Sequence, residues 1–118
     1  MVPRWALVIA VSLPLACGGC ARIGDLETAP QQSFTSAKSP DVLAGCIAEA
    51  WSTSFFATSP AVYQPRPDGA VVAVPHPLAG VDAVARIHRT AAGSRVDYAE
   101  RMPAVSLPWM ADGVQGCL

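Results

Sequence analysis

One stretch of the chain carries a clear helical rhythm of apolar positions, and the remainder is patterned around it. Leu43, Cys46, Ile47, Ala50 and Trp51 recur at three- and four-residue spacing, whereas Asp41, Ala48, Glu49 and Ser52 fall mostly on the other side. That pattern predicts an amphipathic helix with one buried stripe. Ser39 suits the N-cap, Pro40 the first helical position, and Asp41 sets a negative charge at the positive end of the helix dipole. Phe55 lies four residues beyond Trp51 and would continue the stripe, and Pro60 stops it.

Beyond Pro60 the period changes to two. Val62-Tyr63-Gln64 reads as a short strand, Arg66-Pro67-Asp68-Gly69 as a turn, and Ala70 to Val74 as the returning strand. Pro65 has no amide to donate, so the first strand belongs at a sheet edge. Val71, Val72 and Val74 are apolar on both faces, which suits a central strand. Val81, Ala83, Ala85 and Ile87 then alternate with Asp82, Val84, Arg86 and His88. Ala91 to Ser94 turns the chain, and Arg95 to Arg101 returns with Val96 and Tyr98 on one face. A register with Ile87 opposite Tyr98 and His88 opposite Asp97 puts both apolar sets on the same side. Leu107 to Cys117 carries Met110, Val114 and Cys117 at helical spacing, interrupted by Gly113. The expectation is an α+β domain over 39–118: one N-terminal helix packed on a three- to four-stranded antiparallel sheet, closed by a short C-terminal helix. The strand order is left open by the sequence.

The first residues follow a different logic. Arg4 precedes an uncharged run from Trp5 to Ala16, too short to cross a bilayer as a helix, which needs about 20 residues. Such a run fits the apolar region of an export signal. It ends in Leu13-Pro14-Leu15-Ala16-Cys17-Gly18-Gly19-Cys20, which resembles the leader of bacterial lipoproteins, where small residues precede a cysteine that is lipidated and becomes N-terminal. The resemblance covers the leader only. Cys20 has Gly18-Gly19 before it and Cys17 at the third position back; Cys17 has Leu15-Ala16 before it and Pro14 at that position, where a branched apolar residue is usual. It implies a signal peptide over 1–19 and lipidation at Cys20, with Cys17 as the alternative and simple secretion after Ala21 as a third possibility. It also implies a protein facing the periplasm and held by its lipid, with Ala21 after the cysteine directing it to the outer membrane. Residues 20–38 contain Gly24, Pro30 and scattered Ser, Thr and Gln, and read as a flexible tether; the alternative is an ordered strand at Ser33 to Thr35.

The four cysteines sharpen this reading. If Cys20 is lipidated, Cys17 leaves with the leader and Cys46 and Cys117 remain as a pair, each in an apolar helical stripe. An oxidising compartment then favours a disulfide between them. Cys17-Gly18-Gly19-Cys20 has the spacing of a redox dithiol, but it closes an export signal rather than opening a helix after a strand.

Charge excludes more than it suggests. The net charge of −1 falls to −2 when Arg4 departs, and no basic patch for nucleic acid is present. No phosphate loop and no nucleophile elbow occurs. His76 lies between two prolines and His88 lies mid-strand, so a metal site would need carboxylates from elsewhere. His88 paired with Asp97, and Arg86, Arg89, Arg95 and Arg101 paired across strands with Asp82, Asp97 and Glu100, are ordinary sheet features. Trp51 and Trp109 read as core residues. The expectation is a non-enzymatic envelope lipoprotein without catalytic, cofactor or metal residues, whose domain contacts another envelope protein. An inhibitor or small-ligand binder would require a pocket near Trp109 or His76; an enzyme would require a cleft where a histidine meets a carboxylate.

Overall fold

Ser39, Pro40 and Asp41 start a helix where the sequence places it, and the rest of the architecture is built on that helix. The computed structural model describes residues 21–105 and 108–118. The helix, α2, spans Pro40–Thr53 and buries Pro40, Leu43, Ala44, Ile47 and Trp51. It is the second helix of the described chain, after a five-residue α1 at Ile23–Glu27. The strands are β1 (Gln32–Ser36), β2 (Val62–Arg66), β3 (Gly69–His76), β4 (Gly80–Thr90) and β5 (Gly93–Glu100). A 3-10 turn at Pro103–Val105 and α3 at Trp109–Gln115 complete the order.

The described residues thus form an α+β fold with a five-stranded antiparallel sheet, ordered β1-β5-β4-β3-β2. The sequence indicates three or four strands. The additional one, β1, comes from the segment expected to be a tether. Gln32 to Ser36 pair with Tyr98 to Ser94, and Gln31 N–H donates to the Tyr98 carbonyl at 2.8 Å. Pairing with a strand some sixty residues away satisfies the backbone of a segment that has little apolar content of its own. Residues 21–38 are therefore part of the domain, corresponding to the ordered-strand alternative and extending it by α1. Expectations that fall on residues 1–20 lie outside the described residues.

Small side chains on the sheet let the large ones of α2 come close. Ala70, Val72 and Val74 of β3, Ala83, Ala85 and Ile87 of β4, and Val96 and Tyr98 of β5 share one core with Leu43, Ile47 and Trp51. Met110, Val114 and Cys117 close it from the C-terminal side. Each fully buried Leu, Ile or Val in this layer contributes about 1.5–3 kcal/mol from apolar transfer. On the other sheet face Val71, Ala73, Val81 and Val84 pack with Ala21, Ile23 and Leu26, so α1 covers part of that side. This two-sided cover explains why β3 is buried through Val74 on both faces.

Three further points depart from the sequence expectation. Phe55 does not extend the buried stripe: the chain leaves the helix at Ser54, which is extended, and Phe55 is 95% exposed. The β4–β5 hairpin closes between Thr90 and Gly93 around Ala91-Ala92, so Ile87 faces Val96 and His88 faces Arg95. Gly93 has a φ of 142°, and the turn closes on the one residue in it that takes such a φ easily. The two-residue shift keeps every side chain on its expected face, since strand parity is unchanged. The third point is a bulge in β4. Val74 pairs with Ala83 and Pro75 with Val81, so Asp82 is the extra residue and is re-aimed toward Arg101.

Cys46 and Cys117 are joined by a disulfide, with Cα atoms 5.8 Å apart. It ties the half-buried flank of α2 to the second residue after α3, just past the Gly116 cap. Lys38 Nζ donates to the Cys117 carbonyl at 2.6 Å and Ser36 Oγ to the Leu118 carbonyl at 3.0 Å, anchoring the same end to β1.

Candidate functional site

The sheet has two poles. At one lie the β2–β3 and β4–β5 turns and the start of α2; at the other lie the β3–β4 turn, the end of β5 and the end of α2. A cavity of about 350 Å³ opens at the second pole. Val74 and Met110 contribute its apolar floor, and the Phe56 and Trp109 rings, stacked with centroids 6.5 Å apart, form a wall. Thr58, His76, Asp82, Glu100 and Arg101 bring polar groups to it. Trp109 and His76 are the two residues beside which the sequence would seek a pocket, and both line this one.

Glu100, expected from the sequence to pair with an arginine across the strands, is instead buried and held by Tyr98. It is 6% exposed, and its side chain lies on the helix-covered face, opposite Ala83. The Tyr98 hydroxyl donates to its Oε1. Gln31 fixes its backbone from β1, with Glu100 N–H donating to Gln31 Oε1 at 3.0 Å and Gln31 Nε2 to the Glu100 carbonyl at 2.8 Å. A signal for this position exists in the alternation: Val96 and Tyr98 point into the core, so Glu100 must follow them. Burial, then the Glu100 hydrogen bond and charge, push the Tyr98 phenol well above its ordinary range, so it remains a donor. A carboxyl oriented by a phenol beside aromatic walls can accept a further hydrogen bond from a small N–H or ammonium group.

His76 has a structural task. Its Nδ1 accepts the amides of Leu78 at 3.1 Å and Ala79 at 2.9 Å, which shapes the β3–β4 turn. Arg101 faces Asp82 at 2.8 Å, the cross-strand pair expected for it. Among the described residues, no three His, Cys, Asp or Glu side chains converge as a metal site.

The second polar constellation is a ladder across the α1-side face. Glu27 Oε1 lies 3.1 Å from Arg66 and 3.7 Å from Arg86, ion pairs without an aligned hydrogen bond. Arg86 reaches Asp68 at 2.6 Å, and His88 sits between Asp68 at 3.5 Å and Asp97 at 3.1 Å. His88 thus meets Asp97 as expected, but diagonally rather than directly across, because of the shifted register. The Arg86 hydrogen bond lowers the Asp68 pKa. Burial alone would raise that of Asp97, but the Ser33 hydroxyl and Arg95 outweigh it and the net shift is downward. Every charge in this ladder meets an opposite charge, which makes it a cross-strand brace.

Cys46 and Cys117, the expected disulfide residues, are joined; Cys20 and Cys17, the expected lipidation residues, lie outside the described residues. No helix among the described residues is long and apolar enough to cross a membrane. The sequence matches no protein-family model, and neither curated proteins nor solved structures yield a match to it.

Proposed function

We propose that this chain is a lipid-anchored protein of the bacterial cell envelope that acts by binding rather than by catalysis, its small periplasmic domain contacting another envelope component. The observation that carries the reading is the Cys46–Cys117 disulfide, a bond favoured in an oxidising compartment such as the periplasm. It agrees with a leader in which a short uncharged run ends in small residues and cysteine. Cys20 is the residue to which we assign the lipid, Cys17 being the alternative, and Ala21 after it suits the outer membrane. Fatty-acid labelling of wild type, Cys17→Ser and Cys20→Ser tests this. Label lost only in Cys20→Ser is the expected result. The converse would move the lipid to Cys17, and an unlabelled wild type would replace anchoring by simple secretion.

The cavity beside Glu100 favours a second reading, a periplasmic binder of small ligands. Its aromatic wall and the buried Glu100 carboxyl, distinct from the Asp82 carboxyl that Arg101 pairs, suit a compact apolar amine. Thermal-shift titration with such amines and their uncharged isosteres, in wild type and Glu100→Gln, separates the two readings. A charge-selective shift lost in the variant would favour ligand binding.

A further inference from the structure

We propose that the pole carrying the β3–β4 turn lies directly against the bilayer, so that the protein is docked on its membrane rather than held away from it. This rests on the reading of Cys20 as the lipidated residue. An eighteen-residue tether would span about 20–25 Å on average and hold the domain clear of the headgroups. The structure replaces that tether with ordered chain. Ala21 N–H donates to the Ala79 carbonyl at 2.8 Å, Val81 N–H donates to the Ala21 carbonyl at 3.0 Å, and Ala21 bridges Gly80 in parallel. Ala21 is itself buried. Cys20 directly precedes Ala21 in the chain, so a lipid on it would be tied to this pole within one residue's length of about 3.8 Å.

The surface at that pole suits such a position. Leu78, in the β3–β4 turn, is 87% exposed, and Phe55, just past α2, is almost wholly so. Phe56, Met102 and Val105 are exposed beside them, and the Phe55 and Phe56 rings meet edge to face at 5.5 Å. Five of the eight large apolar side chains exposed among the described residues therefore lie at the same pole as the attachment point. The opposite pole presents Lys38, Asp41, Asp68 and Arg89, all exposed, with Val42 as its exposed large apolar residue. Exposed apolar residues massed on one side of a soluble domain mark a surface with a partner. The occupant we assign is the lipid surface, because the lipid-bearing residue adjoins the patch and the ordered chain leaves no slack between them. The apolar contacts need only be weak individually, since attachment by one residue places the patch at an effective concentration of about millimolar or more.

The test uses processed protein purified from membranes and reconstituted into phosphatidylethanolamine–phosphatidylglycerol vesicles containing brominated acyl chains. Leu78→Trp and Val42→Trp report the two poles against the background of Trp51 and Trp109, and intact mass reports the lipid on Cys20. The expected result is about a twofold loss of the added emission for Leu78→Trp, as for a side chain 5–10 Å into the interface, and none for Val42→Trp. Adding Phe55→Asp to Leu78→Trp should reduce that quenching. Lipid present but no quenching at position 78 would overturn the docking and leave the anchor standing. Equal quenching at both positions would overturn it too, as would protection of position 78 by self-association without quenching. Absence of lipid in the mass would remove the anchor reading, and the docking with it.

Discussion

The Trp51 indole N–H donates to the Met110 carbonyl at 2.8 Å, and this buried bond fixes where α3 crosses α2. The crossing is close because Gly113 lies over the indole: a Cβ at that position would fall 2.8 Å from Trp51 Nε1. Gly113→Ala should therefore destabilise the domain by about 1–3 kcal/mol, the range for overpacking a well-filled core. Gly45 supplies the control. It lies on the exposed side of α2, with nothing within 4 Å of the place a methyl group would take, so Gly45→Ala should stabilise by about 0.5–1 kcal/mol. Urea unfolding of the two variants should give shifts of opposite sign.

The bond between Cys46 and Cys117 closes a separation of 71 residues. On the loop-entropy account it restricts the unfolded chain by roughly 4 kcal/mol. Paired Cys46→Ser and Cys117→Ser substitution should lower the melting temperature by more than ~10 °C, at about 4–8 °C per kcal/mol for a domain this small. Differential scanning calorimetry reads the shift. Thiol counting on the unfolded, unreduced processed protein should find neither cysteine reactive.

Tyr98 should resist ionisation while the domain is folded. Its folded pKa is raised, so its contribution to stability is intact below the unfolded phenol value of about 10 and is lost as pH rises beyond it. In a Tyr63→Phe background, the phenolate signal of Tyr98 should coincide with loss of the circular dichroism of the sheet. Tyr98 phenolate in a fully folded protein would contradict the buried Tyr98–Glu100 arrangement.

Acid should weaken the ladder on the α1-side face. Asp68 and Asp97 have lowered folded pKa values, so the stability they contribute is present above the unfolded value of about 3.9 and is lost as pH falls through it toward the folded values. Melting temperatures measured from neutral pH downward should fall steeply below about pH 4. Asp97→Asn should lower stability at neutral pH and flatten that acid limb.

How much of this was readable in the sequence depended on where each segment finds its stabilisation. Ser39-Pro40-Asp41 and the spacing of Leu43, Ile47 and Trp51 are local signals, and α2 lies where they put it. Pro67-Asp68 likewise fixes the β2–β3 turn, and Pro65 the edge position of β2. Gln32 to Ser36 carries one apolar residue, Phe34, and becomes a strand only because β5 supplies hydrogen-bond partners from far along the chain. Ile23 and Leu26 are too few to announce a helix, yet they suffice once β3 and β4 offer them a surface. Phe55 follows the helical spacing but not the helix, because Ser54 turns the backbone away first. Glu100 was legible by parity and hidden by its chemistry, since a carboxylate suggests solvent until Tyr98 and Gln31 are seen to hold it. The cavity needed α2, α3 and the β3–β4 turn in one place, a long-range arrangement that no local pattern encodes.

The proline in β2 also governs what this sheet can become. Arg66 and Gly69 close a two-residue turn, so Pro65 opposite Ala70 belongs to the pair whose backbone faces away from β3. Tyr63 and Pro65 are then the residues that present their backbone along the open margin, and one of the two has no hydrogen to offer. An incoming strand would find a gap in the ladder at the fourth residue of a five-residue edge. Addition of a strand is thereby hindered along β2, and β1, the other edge, is the margin along which this sheet can be extended.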